Sequence, residues 1–229
     1  MKKTITKYEY EYDEKGRMIK RIIDELIQTF TYEENPDGGC IMNTYVADDL
    51  KVRSIFDNHN NLIEENRIFD NSKTINEYDD RDNISKSTIY RDGKEEYHFI
   101  HINDYENSTE TIIGDDKTVV WKFVKDINDK LYCKEYPNSK PYTSNITEEN
   151  CDSIDEYIYN DDRTKVTVNM KNKEGKTTLI YKIDRYFCEA INDYLDTKIV
   201  CIVPDDNKIA YTTTFKYNDK GLVIESIDK

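Results

Sequence analysis

A seven-residue pattern returns six times along this chain and constrains its fold more than any other feature. It reads Tyr12-Asp13-Glu14-Lys15-Gly16-Arg17-Met18 at its first occurrence and Phe56-Asp57-Asn58-His59-Asn60-Asn61-Leu62 at its second. Further copies begin at Tyr78, Lys125, Val203 and Tyr217. The fifth position is Gly16, Asn60, Asp82, Asp129, Asn207 or Gly221, and Gly, Asn and Asp are the residues that best tolerate positive φ. A residue of that kind, between segments rich in Tyr, Ile, Val, Thr and Phe, marks the turn of a β-hairpin. The pattern therefore predicts a series of hairpins closed by one kind of turn, with positive φ at the fifth position.

Several gaps between copies are near multiples of about 22 residues, the span of two strands and two turns. Degenerate copies at Tyr32 to Gly39 and Tyr159 to Arg163 fill some of them, and turn signals such as Ala47-Asp48-Asp49, Asp70-Asn71-Ser72-Lys73 and Arg91-Asp92-Gly93-Lys94 fall between. The expectation is an all-β protein, an antiparallel meander of about 16 to 18 short strands rolled or packed on itself. Residues 1–229 read as one β-repeat domain. Alternation predicts that Tyr8, Tyr10 and Tyr12 share the buried face of the first strand, with Lys7, Glu9, Glu11 and Asp13 on the other. Tyr157, Tyr159 and Tyr217 belong to the same buried set. A three-residue loop at Glu14-Lys15-Gly16 would set Tyr12 against Met18, Tyr8 against Ile22 and Glu11 against Ile19. One segment also carries helical spacing, with apolar residues at 18, 19, 22, 23, 26 and 27. There the repeat favours strand over helix.

Composition bears on the class. The apolar fraction is 37% and the mean hydropathy −0.88, values that would suit a disordered chain, but 19 tyrosines can build a thin, half-exposed sheet. A net charge of −14, from 47 acidic and 33 basic residues, argues against binding nucleic acid or an anionic membrane and permits a basic protein partner. Five dispersed cysteines, no CxxC pair and no apolar leader point to a reducing, cytoplasmic setting.

The first copy, Tyr10-x-Tyr12-Asp13-x-x-Gly16-Arg17-Met18, resembles the YD repeat of RHS-type proteins. Tyr217 to Val223 is similar, with Asn218 in place of Asp, and the copies between are degenerate. What the resemblance implies is a non-enzymatic β-repeat scaffold. Known RHS proteins wind long arrays into a shell around a toxin, and this array is too short to enclose such cargo.

Catalytic and metal signatures are lacking. The three histidines are His59 in a turn and His98 and His101 on opposite strand faces, and no GxSxG, HExxH or phosphate-cradling loop occurs. Acidic turns such as Asp79-Asp80-Arg81-Asp82 lack the EF-hand spacing. No catalytic residue, cofactor or metal is expected. The segment at 136–150 breaks the repeat, and its Tyr136, Tyr142, Glu148 and Glu149 are the candidate partner-binding residues. The expected function is an interaction protein presenting a Tyr-rich, acidic surface to a protein partner. The alternatives are an acidic immunity or inhibitor protein that blocks a basic toxin or nuclease, and a glycan-binding module.

Overall fold

A computed structural model describes residues 3–125, 128–206 and 208–229. The chain forms β1 (Thr4–Tyr12), β2 (Met18–Ile23), β3 (Leu26–Glu34), β4 (Cys40–Val46), β5 (Asp49–Phe56), β6 (Leu62–Arg67), β7 (Ser72–Tyr78), β8 (Ile84–Arg91) and β9 (Lys94–Asp104). It continues through β10 (Thr109–Ile113), β11 (Lys117–Val124), β12 (Asp129–Pro137), β13 (Ser153–Tyr159), β14 (Lys165–Asn172), β15 (Thr177–Cys188), β16 (Asp193–Val203), β17 (Lys208–Tyr217) and β18 (Val223–Asp228). One 3-10 turn, Pro204–Asp206, is the only helical element among the described residues. The segment with helical spacing is strand: β2 and β3 flank a tight turn in which Asp24 takes φ 53°.

Every strand pairs antiparallel with its sequence neighbour, and β1 also pairs with β18, so the meander closes into a barrel of 18 strands. The first strand divides its bonding: Thr4 to Lys7 face β18, and Tyr8 to Tyr12 face β2. Closure leaves no whole strand at an edge, while Lys94 to Phe99 of β9 and Lys134 to Pro137 of β12 pair on one side alone. A ring of so many strands is too wide for its side chains to fill. Accordingly, strand contacts run between ring neighbours. Burial is local, and its densest point is a cluster of Val120, Tyr132, Ile146, Cys151 and Ile154.

The register sorts side chains onto two faces all the way round. Tyr8, Tyr10, Tyr12, Tyr32, Phe56, Tyr78, Tyr157, Tyr159 and Tyr217 share an aromatic face. Tyr8, Tyr10 and Tyr12 are half-buried between exposed Lys7, Glu9 and Glu11. Several aromatic hydroxyls donate to backbone carbonyls of a neighbouring strand, as Tyr10 does to Val223 at 2.7 Å, Tyr78 to Leu62 at 2.8 Å and Tyr217 to Asp196 at 2.6 Å. The other face carries cross-strand ion pairs: Lys20–Glu11 at 2.7 Å, Lys73–Glu64 at 2.7 Å, Lys86–Glu77 at 3.3 Å, Lys171–Glu156 at 3.1 Å and Lys216–Glu225 at 2.5 Å. Each exposed pair is worth little alone, but like charges in those positions would disfavour the pairing.

The register of the first hairpin departs from the simple expectation. Tyr12 lies opposite Met18, but a β-bulge follows, so Tyr8 pairs with Ile23 and Glu11 with Lys20. The bulge has a physical cause in the turn. A three-residue loop with a left-handed residue at its end forces one extra residue into the returning strand. The slip brings Lys20 to Glu11 in place of Ile19.

Candidate functional site

Strand direction alternates, so the turns gather at two ends of the ring. One end holds the turns at 13–17, 35–39, 57–61, 79–83 and 218–222. In each, the first residue donates its amide to the carbonyl of the last and accepts from the fourth. Asp13, Asp57, Asp79 and Asn218 add a side-chain oxygen that accepts two amides, those two and four residues on. Gly16, Asn60, Asp82 and Gly221 take φ of 79°, 72°, 60° and 76°, as the pattern predicts. Asp129 does not: it is the first residue of β12, is buried, and has no positive φ. Asn207 lies outside the described residues.

This capped end is laced from turn to turn. Asp82 Oδ1 accepts from Asn61 Nδ2 at 2.9 Å and lies 2.9 Å from His59 Nδ1. Tyr105 donates its hydroxyl proton to Asp79 Oδ2 at 2.5 Å and accepts from Asn83 at 2.6 Å, while the Arg81 guanidinium sits 4.1 Å over its ring. The bond from Tyr105, joined by amides of Asn83 and Arg81, holds the Asp79 carboxyl well below the usual range. The hydrogen bond that protonated His59 donates to Asp82 raises the imidazole's pKa.

The opposite, open end has the same cap once, at 172–176. The turns after β2 and β6 leave large apolar groups in solvent. Leu26 and Ile27 after β2 and Ile68 and Phe69 after β6 stand exposed on either side of the polar Ala47-Asp48 turn, followed by Tyr97 on β9, and Ile5, Ile209 and Tyr211 stand exposed at the same end beside the closure, making an interrupted fringe. Phe69 is 65% exposed, the most of any large apolar residue in the fringe. Exposed Asp24, Glu25, Asp48, Asp49 and Asp70 alternate with these groups. Sequence reading missed this fringe because it began the turn at Asp70. The signal was the Ile68-Phe69 pair just before it, an apolar couple at the mouth of a polar turn.

The segment between β12 and β13 is a strap that folds back across the charged face of β11 and β12. Ile146 is its anchor, 0% exposed against Val120, which is also 0% exposed. The structure divides the four sequence-predicted residues. Tyr136 belongs to β12, packs on the buried cluster, and donates its hydroxyl to the Thr143 carbonyl at 3.3 Å. Glu148 pairs with Lys130 at 3.0 Å. Tyr142 and Glu149 stand exposed. Two of the four thus hold the strap down, and two face outward.

A third region lies on the aromatic face near the capped end. A cavity of about 290 Å³ is lined by Asn103, Tyr105, Glu110, Trp121, Phe123 and Leu131 among others. A neighbouring hollow shares Asn103 and Glu110 and adds His101, whose Nδ1 lies 3.0 Å from Glu110 Oε1. All five cysteines are free, and burial pushes the Cys133 thiol up to about 11, an unreactive state at neutral pH. No group of three or more His, Cys, Asp or Glu able to hold a metal occurs among the described residues.

No protein-family model matches the chain, and no curated protein matches it. Among solved structures, it is similar to a chain of the Photorhabdus luminescens Tc holotoxin pore, with 12% identity and a TM-score of 0.42. The match covers 94% of this chain and 14% of that one, so this chain spans about a seventh of its length. A likeness at that level carries no argument, and the hairpin-repeat architecture stands on the ring itself.

Proposed function

We propose that this chain is a short, degenerate YD-repeat-type array that works without catalysis, as a rigid ring whose open end docks a protein partner. The observation that carries this reading is the exposure of Leu26, Ile27, Ile68 and Phe69 at two turns of the open end. Contiguous exposed apolar groups with a polar surround mark interaction sites in soluble proteins. The acids interleaved with them favour a partner that sets Lys or Arg around an aliphatic or aromatic centre, and they would speed its association. Inhibition of a basic toxin or nuclease is one use of such a surface. The free thiols support a reducing, cytoplasmic setting.

The test is capture of partners from the source organism with the wild-type chain and with the double variant Ile68→Asp, Phe69→Asp. The variant should lose the partner while its circular dichroism stays that of the wild type. Equal recovery by both proteins would remove the open end as the docking surface.

A glycan-binding reading has its own observation, the cavity that sets Trp121 and Phe123 beside Asn103 and Glu110. Aromatic faces stack on sugar rings, and amide and carboxylate groups bond their hydroxyls. Trp121→Ala should then abolish binding on a glycan array. Silence of the wild-type protein on the array would end this reading.

A further inference from the structure

We infer that the strap occupies, in cis, a peptide-binding groove of this protein, and that the groove's ligand in trans is an extended acidic segment with one aliphatic anchor. The groove lies on the charged face of β11 to β13, apart from the exposed apolar residues of the open end, and does not depend on that reading. The groove floor is Val120, Tyr132 and Ile154 on three adjacent strands, and Ile146 fills it completely.

Around this floor lie Lys122, Lys130 and Lys134. Elsewhere on the same face five lysines pair with a glutamate of the neighbouring strand. These three reach the strap instead. Lys122 Nζ donates to the Ile146 carbonyl at 3.2 Å, Lys134 Nζ donates to the Asn150 carbonyl, and Lys130 pairs with Glu148. Lys134 also lies 3.7 Å from Asp152 at the strap's end. In a chain of net charge −14, this is a basic, apolar groove holding an acidic guest.

The guest is attached in a way that permits exchange. The Lys140 amide turns back to the Pro137 carbonyl at the end of β12, the amides of Asn145, Ile146, Thr147 and Asn150 bond within the strap, and sheet pairing resumes only where the Asp152 amide meets the Cys133 carbonyl. Lifting the strap therefore breaks side-chain contacts but no strand ladder. The spacing it displays, an aliphatic residue followed two positions later by a carboxylate, defines what the groove reads: a hydrophobic pocket for the first, Lys130 for the second, and two lysines for flanking carbonyls. A tethered strap competes at an effective concentration in the millimolar range, so a free peptide must lose to it unless the strap is weakened.

The experiment uses the full chain and a fluorophore-labelled peptide of residues 143–152 with Cys151→Ser, read by fluorescence anisotropy. Two variants empty the groove: Ile146→Asp, and replacement of 139–149 by a Gly-Ser segment of equal length. Either variant should bind the peptide saturably and at least about tenfold more tightly than wild type, as removal of a competing closed state requires. Adding Lys122→Glu and Lys134→Glu should abolish that binding, and a peptide carrying Glu148→Gln should bind several-fold more weakly. The inference fails if folded variants show no saturable binding up to about 1 mM peptide, the limit of weak specific affinity. It fails equally if wild type binds as tightly as the variants. Failure of both variants to fold would make the strap part of the wall and overturn the inference as well.

Discussion

The two ends of the ring are made by the same strands, yet one repeats a single Asp- or Asn-capped turn and the other is closed by turns of mixed kind, joined by bonds such as Asn71–Asp92 and Asn138–Gly114. At the capped end, Asp13, Asp57, Asp79 and Asn218 each satisfy two amides of their own turn, and the turns then bond one another through Asn61–Asp82 and Tyr105–Asp79. At the open end, the turn after β2 exposes Leu26 and Ile27, and the turn after β6 exposes Ile68 and Phe69. The contrast separates two uses of a turn. A cap with its donors satisfied fixes register and resists fraying. An apolar side chain left in water adds little to the ring's stability, even where its turn is bonded to the ring as Ile68 is to Lys51.

Mutation sharpens the contrast, and the largest effect belongs to Gly39. A Cβ there would lie 2.1 Å from the Phe56 carbonyl oxygen, a backbone atom of the next hairpin. Gly39→Ala should cost roughly 3 kcal/mol in a denaturant titration, in the range of severe overpacking. A loss under about 1 kcal/mol would mean that neighbouring hairpins of the capped end are free to separate. Gly16 is a glycine for a different reason. Nothing lies within 4 Å of its Cβ position, but φ is 79°. Gly16→Val should cost about 1 kcal/mol or more through backbone strain alone, and Gly16→Asn should recover much of it. Asn218→Ala, which removes the acceptor for the Lys220 and Leu222 amides, should cost about 1 kcal/mol, as capping losses do.

Much of this was legible in the sequence because it is local. Residue type at the fifth position announces positive φ, and alternation of Tyr with Lys and Glu announces the two faces. Where the expectation slipped, the cause was one residue: the bulge after Tyr12 shifts Tyr8 from Ile22 to Ile23 and is invisible to a count of loop length. Closure of the ring was not legible either. It depends on Thr4 to Lys7 meeting Glu225 to Asp228, a pairing across the whole chain. Of the site, the sequence marked the strap as irregular but not its anchor. Ile146 is one aliphatic residue in a polar stretch, and only the groove beneath it makes it the best-buried side chain of its segment.

Acid should find the capped end first. At Asp57, burial opposes ionisation, but hydrogen bonds from Asn61 and His59 outweigh it and the carboxyl titrates below its usual range. Asp79 is held lower still by Tyr105. A carboxylate whose pKa falls on folding contributes stability that is fully present above its unfolded value, near 4, and is lost as pH drops through the folded one. His59 works in the opposite sense: its raised pKa gives a contribution present below its unfolded value and lost as pH rises through the folded one. Thermal melts should therefore fall steeply below about pH 4, and Asp57→Asn should flatten that fall. An unchanged acid profile in Asp57→Asn would assign the acid sensitivity to other carboxylates.

The smallest effect on stability is expected where the exposure is greatest. Phe69→Ser removes an aromatic ring that is already 65% in water and holds no hydrogen bond in its turn. Its cost should stay within about 0.5 kcal/mol, the range of surface changes that touch nothing essential. Gly16→Val changes a site with as few neighbours but should cost more, because it strains the backbone. If instead Phe69→Ser destabilises by more than about 1 kcal/mol, the fringe is holding the β6–β7 turn against the ring, and the open end is a structural rim. A neutral Phe69→Ser that also loses its protein partner would show that the fringe acts in binding and is dispensable to the fold.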